Sequence, residues 1–593
     1  MMESNGLKAR YVIGLDIGDG ESALAWMKTD PSDTDPATLY VPQGAKSESI
    51  LTALARGREP NQYLFGEAAL LAESASRFTI SFKNPPAPGK LTTPDVVLFA
   101  TALLDEFFAV HPEVREDCIV LAGHPAGWPK EAVRQYHDHL GRLPIQVELL
   151  AESQSALIHV RGPDASHGGP DDRVVVIDIG SSTTDVTIVE GMVPRNLPVG
   201  IDLGCRQIDA ELAEMARADL AAYEDFTAAL KRDGGGALLL LLCREAKEAQ
   251  FSTRTMEPLK SGWAVKKRME PVLDRGFDWA KEQRIPDIVT RPGGWADEFK
   301  DLVARTKEQL TEPPSLVILT GGGSRMPFTK EICQQAFPHP TQVKPDDMDP
   351  SLSVARGLAS AGRKRVLVNR FRSEMAELIT SPKTQEFIRA QYRAAFDATV
   401  ASVVRAINEA IVKDWLDIAE QPPDKAQIEE KFRSAMIGYL TPLCRSTYSK
   451  YGIPAYSFDV SYRMPALLAT GSITRIISSR LVRAVMRAAG VAGQGWAKRI
   501  IDQVEEEIRN KPNPNKPNRN ARMRHAANKK AAIFVVAGLI LLSLPTGAKR
   551  YVIWKMKSAR LPDDVLDQQV EEILNAISKV IGHQAAEAER FVR

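Results

Sequence analysis

Two short turns rich in aspartate and glycine, about 160 residues apart, carry the residues of this 593-residue chain that are best suited to chemistry on a phosphate group. A glycine after a strand lets the backbone approach a phosphate, and hydroxyls and backbone N–H groups donate hydrogen bonds to its oxygens. Aspartates there need a divalent cation such as Mg²⁺, or its bound water, between them and the phosphate. Asp16, Asp178 and Asp185 fit that role. Either turn alone is also typical of an ordinary tight turn.

The elements around these turns are predicted β-hairpins. Residues 11–18, YVIGLDIG, form an apolar run into the first turn, and ESALAW then resumes an apolar alternation. Residues 174–191, VVVIDIGSSTTDVTIVEG, repeat the plan. A third strand opens into three glycines in LVILTGGGSRMPFTK, residues 316–330, which predicts a strand–turn–helix whose backbone lies against a flat ligand. Three glycines also suit a flexible corner.

Composition and charge narrow the class of protein. Lys+Arg of 76 against Asp+Glu of 75 gives a net charge of +1, so we expect no nucleic-acid partner. Hydrophobic content of 44% and charged content of 25% match a folded, multidomain protein. The five cysteines form no CxxC pair and the N-terminus has no run of signal-peptide length, which predicts a cytoplasmic location. The sequence contains no P-loop and no HExxH motif.

The two hairpins belong to a longer series of segments. With AESQSALIHV at 151–160, LVILTGGGSRMP at 316–327 and DPSLSVARGLASAG at 349–362, they resemble the five motifs of the actin-like ATPase superfamily, in the same order. LVILTGGGSRMP is especially similar to the adenosine motif of DnaK-type heat-shock chaperones, and GIDLGCRQIDAEL at 200–212 resembles a further chaperone segment. The resemblance covers about 10–365. It implies an α/β, two-lobed ATPase fold of duplicated RNase H-like cores that binds ATP or ADP with Mg²⁺.

The resemblance also implies a role for each residue that matches a motif. Residues expected around the phosphates are Gly18, Asp19, Gly20, Gly180, Ser181, Ser182, Thr183 and Gly204. Residues expected around adenosine are Lys247, Gly321, Gly322, Gly323 and Arg325. The expected catalytic set is Asp16, Lys83, Glu152, Asp178 and Asp185, of which the three aspartates hold the metal directly or through water. Lys83 resembles the lysine that polarises the γ-phosphate.

Several positions depart from the family pattern. Ser153 replaces the proline that couples nucleotide state to the next domain in chaperones, so the interdomain switch is expected to differ. Arg244 stands where the family has a glutamate that contacts ribose, and Ser351 replaces an acidic residue. Asp19 and Gly20 replace a threonine pair that contacts phosphate, which predicts slow hydrolysis with nucleotide binding preserved.

Beyond residue 365 the composition changes to long stretches that favour helix. Residues 366–510 are expected to form an α-helical domain, and 511–530 a basic linker rich in proline and asparagine. The apolar run within 531–547 predicts a membrane-associated segment, although at about this length a buried helix of a helical bundle is the alternative. Residues 548–593 are expected to form an amphipathic helical tail.

An arginine-bearing stretch lies inside the helical domain. In 464–490 the charged residues are Arg475, Arg480, Arg483 and Arg487, and as a helix they share one broad face opposite an apolar one. This pattern is typical of a helix lying in an anionic membrane surface. It is equally typical of a core helix whose arginines extend to solvent.

These features together predict a weak ATPase that couples its nucleotide state to a helical tail. The expected partners are a protein client, an anionic membrane and a J-domain or exchange-factor protein, and the expected location is cytoplasmic with membrane association through the C-terminal region. The alternative is an actin-like filament or membrane scaffold whose self-association depends on nucleotide. A sugar kinase shares the fold, but the sequence has no added sugar-binding segment with a clear catalytic base.

Overall fold

The computed structural model describes residues 9–45, 47–57, 59, 62–71, 78–83, 94–161, 173–190, 193–197, 199, 203–252, 255–259, 262–338, 342–345, 352–408, 425–455, 470–491, 541, 544 and 546–588. It divides into two compact units, one within residues 1–370 and the other within 371–592. The predicted ATPase region, 10–365, lies within the first unit. The predicted linker, 511–530, and most of the apolar run after it lie outside the described residues.

The strands of the first unit include both predicted hairpins and the predicted strand before the three glycines. In chain order they are β1 (Tyr11–Ile17), β2 (Glu21–Lys28), β3 (Thr38–Leu39), β4 (Ile50–Leu51), β5 (Ala53–Arg56), β6 (Tyr63–Phe65), β7 (Phe78–Ile80), β8 (Cys118–His124), β9 (Val147–Ala151), β10 (Val174–Ile179), β11 (Thr184–Glu190), β12 (Val193–Leu197), β13 (Leu316–Thr320) and β14 (Gln342–Pro345).

Two of the sheets have the same strand order. The first runs β3-β2-β1-β8-β9, with β4 also paired to β2, and the second runs β12-β11-β10-β13-β14. In each sheet a central hairpin and one edge strand are antiparallel, while the last two strands run parallel to the first strand of the hairpin. A small third sheet, β6-β5-β7, precedes the segment that carries Lys83.

The helices of the first unit cover these sheets. They are α1 (Glu67–Leu71), α2 (Asp95–Val110), α3 (Pro112–Arg115), α4 (Lys130–Leu140), α5 (Glu152–Arg161), α6 (Arg206–Asp219), α7 (Glu224–Leu230), α8 (Gly235–Gln250), α9 (Trp263–Glu282), α10 (Ile285–Val289), α11 (Trp295–Glu308) and α12 (Pro327–Ala336). The next helix, α13 (Ser353–Thr380), begins in the first unit and ends in the second.

Alternate residues of the central strands enter different cores. Ile13 and Leu15 of β1 belong to one apolar cluster with Phe99 of α2, whereas Val12 belongs to another with Leu358 of α13. A strand with both faces covered is buried along its length, and β1 is buried from its second residue onward. The central strands are therefore fixed firmly enough to position the turns at their ends.

The second unit is helical, as the composition predicts. Its helices after α13 are α14 (Pro382–Asn408), α15 (Lys425–Lys450), α16 (Thr470–Val491), α17 (Thr546–Lys557) and α18 (Asp563–Ala588). Helix α14 packs against α15, α17 and α18, and the Tyr392 hydroxyl donates a buried hydrogen bond to Gln569 at 3.2 Å. Arg393 of α14 forms an ion pair with Asp563 of α18 at 3.0 Å.

Helix α16 contains the described part of the arginine-bearing stretch. Its apolar residues Leu481 and Val485 are 2% and 0% exposed, whereas Arg483 and Arg487 face solvent. The apolar face is therefore covered by protein, which favours the core helix over the helix lying in a membrane surface. Within the described part of the chain, no helix combines the length and hydropathy that a membrane crossing requires.

The packing of α16 can be tested by truncating its buried face. Replacing Leu481 with Ala should lower the free energy of unfolding by about 2–5 kcal/mol, because a buried leucine loses its contacts and leaves a cavity. The exposed Arg487→Ala on the same helix should change it by less than about 0.5 kcal/mol. Urea unfolding followed by circular dichroism measures both, and equal small effects would show that this apolar face is not packed in protein.

Candidate functional site

The first predicted phosphate turn closes the hairpin of β1 and β2. Asp16 lies opposite Ala23 and Ile17 opposite Ser22, and residues 18–20 connect the two strands. Asp16 is 8% exposed and Asp19 is 2% exposed. The carboxylates of Asp16 and Asp19 are thus largely shielded from solvent at the end of β1.

The second turn closes the hairpin of β10 and β11 in the same register. Asp178 lies opposite Asp185, and residues 180–183 form the connection. The Asp185 carboxylate accepts hydrogen bonds from the Gly127 backbone N–H at 2.7 Å and the Thr183 hydroxyl at 2.9 Å. Both predicted hairpins are present, and Asp178 has the same position in the second as Asp16 has in the first.

The glycine-rich turn follows β13, which pairs in parallel with β10 so that Thr320 lies beside Asp178. Gly321 has a φ of +78°, and a Cβ on it would lie 2.4 Å from Oδ1 of Asp178, so only glycine fits there. A short 3₁₀ helix, Gly322–Arg325, follows before α12 begins. The predicted strand–turn–helix is confirmed, and its turn is ordered against the Asp178 carboxylate.

Gly204 packs against the backbone of the second turn. A Cβ on Gly204 would lie 2.2 Å from the Ser181 carbonyl oxygen. The backbone N–H of Cys205 donates to the Gly180 carbonyl at 3.1 Å and that of Arg206 to the Ser181 carbonyl at 2.8 Å. The segment therefore fixes the backbone of the turn.

The turns face one cleft, with an open space of about 1150 Å³ that includes the part open to solvent. Of the residues predicted from the sequence, those that line it are Asp16, Gly18, Asp19, Gly20, Lys83, Glu152, Asp178, Gly180, Ser181, Ser182, Thr183, Lys247, Gly321, Gly322, Gly323 and Arg325. Asp185 and Gly204 are the predicted residues that do not line it. Phe251 and Met326, which the sequence did not single out, add apolar surface beside the glycine-rich turn.

Lys83 holds a buried charge among the carboxylates of the cleft. It is 3% exposed, contacts Glu152 closely and lies 3.9 Å from Asp16. Burial by itself lowers the pKa of Lys83, but the attraction of Glu152 and Asp16 outweighs it, so the pKa rises. The lysine is therefore charged at neutral pH.

The aspartates of the cleft carry more negative charge than Lys83 can balance. Burial raises the pKa of Asp16 to about 7, although Lys83 partly opposes the shift. Burial and then Glu152 raise the pKa of Asp185 to about 7, and burial followed by repulsion from Glu152, Asp185 and Asp16 raises the pKa of Asp178 well above its ordinary value. Binding of protons or of a divalent cation reduces the repulsion among these carboxylates and so stabilises the cluster.

The carboxylates of the cleft fit part of the coordination shell of Mg²⁺. Within the described residues, no three His, Cys, Asp or Glu side chains converge closely enough to hold a metal by themselves. Asp16 and Asp178 are nevertheless buried carboxylates that line the cleft beside the turns. Mg²⁺ commonly keeps several waters and takes one or two carboxylates together with phosphate oxygens. Two carboxylates would thus leave most coordination positions of Mg²⁺ to water or to a bound ligand.

A second charged network, missed in part by the sequence analysis, lies on the other side of the cleft. Asp209 of α6 accepts a hydrogen bond from Lys247 at 2.7 Å, and its other oxygen lies 3.5 Å from Nε of Arg244. Arg244 also donates to the Gly20 carbonyl at 3.2 Å and to the Ser81 hydroxyl at 3.1 Å. Arg244 thus links the first turn to the helices beside the second sheet.

Comparison with known proteins does not assign this chain to a family. No protein-family model matches the chain, and no curated protein matches it. The argument for function therefore depends on the geometry of the cleft.

The raised pKa of Asp185 predicts a pH-dependent stability. Its pKa is about 7 in the folded chain against 3.8 ordinarily, so the folded state holds more protons than the unfolded state between these values and loses stability as the pH rises through them. Asp185→Asn removes this loss and should raise the free energy of unfolding by up to about 4 kcal/mol at pH 8, and by less at pH 5.

Thermal unfolding at pH 5 and pH 8, in buffer without divalent cations, measures the effect. The exposed Asp138→Asn is the control and should follow the unmodified chain at both values. A variant at Asp185 that loses stability equally at pH 5 and pH 8 would contradict the expectation.

Proposed function

We propose that this chain is an ATP- and ADP-binding conformational switch of the actin-like ATPase superfamily, of heat-shock chaperone type, with slow ATP hydrolysis. The observation that carries the proposal is that two sheets of identical strand order direct their hairpin turns, together with the glycine-rich turn, into one cleft. A two-lobed fold of duplicated RNase H-like cores would have this arrangement. The absence of any other phosphate-binding motif in the sequence agrees with it.

In the proposed complex the phosphates lie between the two hairpin turns. The Ser182 hydroxyl and the backbone N–H groups of both turns would donate to phosphate oxygens. Lys83 would add positive charge from the side of Glu152. Bound Mg²⁺, held by Asp16 and Asp178 directly or through water, would neutralise phosphate charge that these carboxylates otherwise repel.

The nucleoside is proposed to lie against the glycine-rich turn. A Cβ on Gly322 would meet nothing within 4 Å, so the backbone there is open to the cleft. Phe251 and Met326 offer apolar contact to a flat base, and Arg325 lines the same end. Apolar surface with a few polar groups is the usual composition of a small-ligand site.

For hydrolysis, the buried aspartates supply the proton acceptor. Asp16 lines the cleft, and a carboxylate with a pKa of about 7 can accept a proton from an attacking water at neutral pH. The cause of the raised pKa of Asp16 is burial, which Lys83 partly opposes. We propose slow turnover because Asp19 adds a negative charge to the first turn, beside the place of the phosphates.

Turnover and nucleotide binding test the proposal. Asp178→Ala should lower ATP hydrolysis by about 10²-fold or more, because it removes a carboxylate at the junction of the turns. Lys83→Met should weaken binding of a fluorescent ATP analogue, and the exposed Asp138→Asn should change neither quantity. Full ATP turnover by Asp178→Ala would contradict the ATPase assignment. Failure of the unmodified chain to bind nucleotide would contradict the whole proposal.

We also propose that the C-terminal region binds anionic membranes. Residues 508–562 contain 13 Lys and Arg and no Asp or Glu. In α17, Arg550, Trp554 and Lys557 are exposed at helical spacing, with Trp554 58% exposed and the Lys555 ammonium 4.7 Å from its ring centre. Basic and tryptophan side chains together suit the headgroup region of an anionic bilayer.

Flotation with liposomes tests this partner. The full-length chain should float with vesicles containing phosphatidylserine and not with neutral ones, and Arg550→Glu combined with Lys557→Glu should reduce the floating fraction several-fold, since each basic residue near the surface contributes about 1 kcal/mol. Trp554→Ala should reduce it as well. Tyr223→Ala, which removes another exposed aromatic with a cation over its ring, is the matched control. Flotation that is independent of lipid charge would contradict the proposal.

A further inference from the structure

Asp19 of the first turn is surrounded by groups that usually bind an anion. Its side chain is fully buried, and its carboxylate accepts a hydrogen bond from the Ser181 hydroxyl of the second turn at 3.2 Å. Arg206 lies 3.5 Å from its other oxygen. Asp19 therefore connects the first turn to the second.

The surroundings are completed by Arg244 and Ser81. Burial raises the pKa of Asp19, whereas Arg206, Arg244, Ser181 and Ser81 oppose that shift. Ser81 has a φ of +57°, a strained conformation for a residue other than glycine, and its hydroxyl accepts from Arg244 at 3.1 Å. Backbone strain of this kind requires support from the neighbouring structure.

Two guanidinium groups and two hydroxyls around one buried acceptor would also suit a phosphate group, for which arginine is a preferred partner. In the proposed function the phosphates lie between the same two turns. A phosphate and the Asp19 carboxylate would then compete for the same donors. The two anions cannot share the position, because like charges so close repel strongly in a buried site.

We infer that the Asp19 carboxylate takes the place of the outermost phosphate, so that the cleft binds nucleoside diphosphates more tightly than triphosphates. This inference depends on the proposed function. A diphosphate leaves the Asp19 contacts intact, whereas a triphosphate must displace the carboxylate from Ser181 and Arg206. Opening of the link between the two turns would then accompany the entry of ATP.

Calorimetric titration with Mg·ADP and Mg·ATP tests the inference. The unmodified chain should bind ADP about tenfold or more tightly than ATP, which corresponds to about 1.4 kcal/mol. Asp19→Ser, which replaces the carboxylate with a small hydroxyl, should remove that preference by tightening ATP binding about tenfold while ADP changes little. Asp19→Asn, which is closer to aspartate in shape, should also reduce the preference for ADP over ATP. Asp117→Asn removes another arginine-paired carboxylate, 2.6 Å from Arg10, and should leave both affinities unchanged.

A second measurement does not depend on nucleotide. Asp19→Ser removes the carboxylate that faces Arg206 and Arg244, so inorganic phosphate should raise its melting temperature and should leave that of the unmodified chain nearly unchanged. Equal ADP and ATP affinities in the unmodified chain, with no change in either variant, would overturn the inference while the proposed function stands. Failure of the unmodified chain and of all variants to bind either nucleotide would instead overturn the proposed function.

Discussion

The first unit is organised around carboxylates that are buried next to one lysine. Asp16, Asp178 and Asp185 are each less than 9% exposed, and Lys83 lies among them with Glu152. Buried ionised groups are costly unless they are paired or hydrogen-bonded, so the surrounding elements must supply partners at fixed positions. The Gly127 N–H, the Thr183 hydroxyl and the Lys83 ammonium meet that need.

The parallel pairing of strands explains why these groups meet. In the second sheet β10 pairs with β13, so that Asp178 and the glycine-rich turn leave the sheet side by side. In the first sheet β8 pairs in parallel with β1, and β9 with β8, and α5 then begins with Glu152. Carboxyl ends of neighbouring parallel strands lie at one edge of a sheet, which is where ligands commonly bind in α/β proteins.

Much of this arrangement could be predicted from the sequence, since strand runs and turn residues leave local patterns. The sequence predicted both hairpins, the strand–turn–helix at Gly321 and the helical character after residue 365. The partners of Asp19 could not be predicted, because Arg206 lies 187 residues away and its contact depends on tertiary packing. The arginine-bearing helix shows another limit, since an amphipathic pattern does not reveal whether protein or lipid covers its apolar face.

The equal strand order of the two sheets has a consequence for the origin of the cleft. Asp16 and Gly18 have counterparts in Asp178 and Gly180, but the counterpart of Asp185 is Ala23. If both halves descend from one ancestral gene, a single half would have had to pair with its own copy to enclose such a cleft, as a two-fold symmetric dimer. The two hairpins place their negative charge differently. The second has Asp185 near the start of its second strand, whereas the first has Ala23 at that position and Asp19 in its turn.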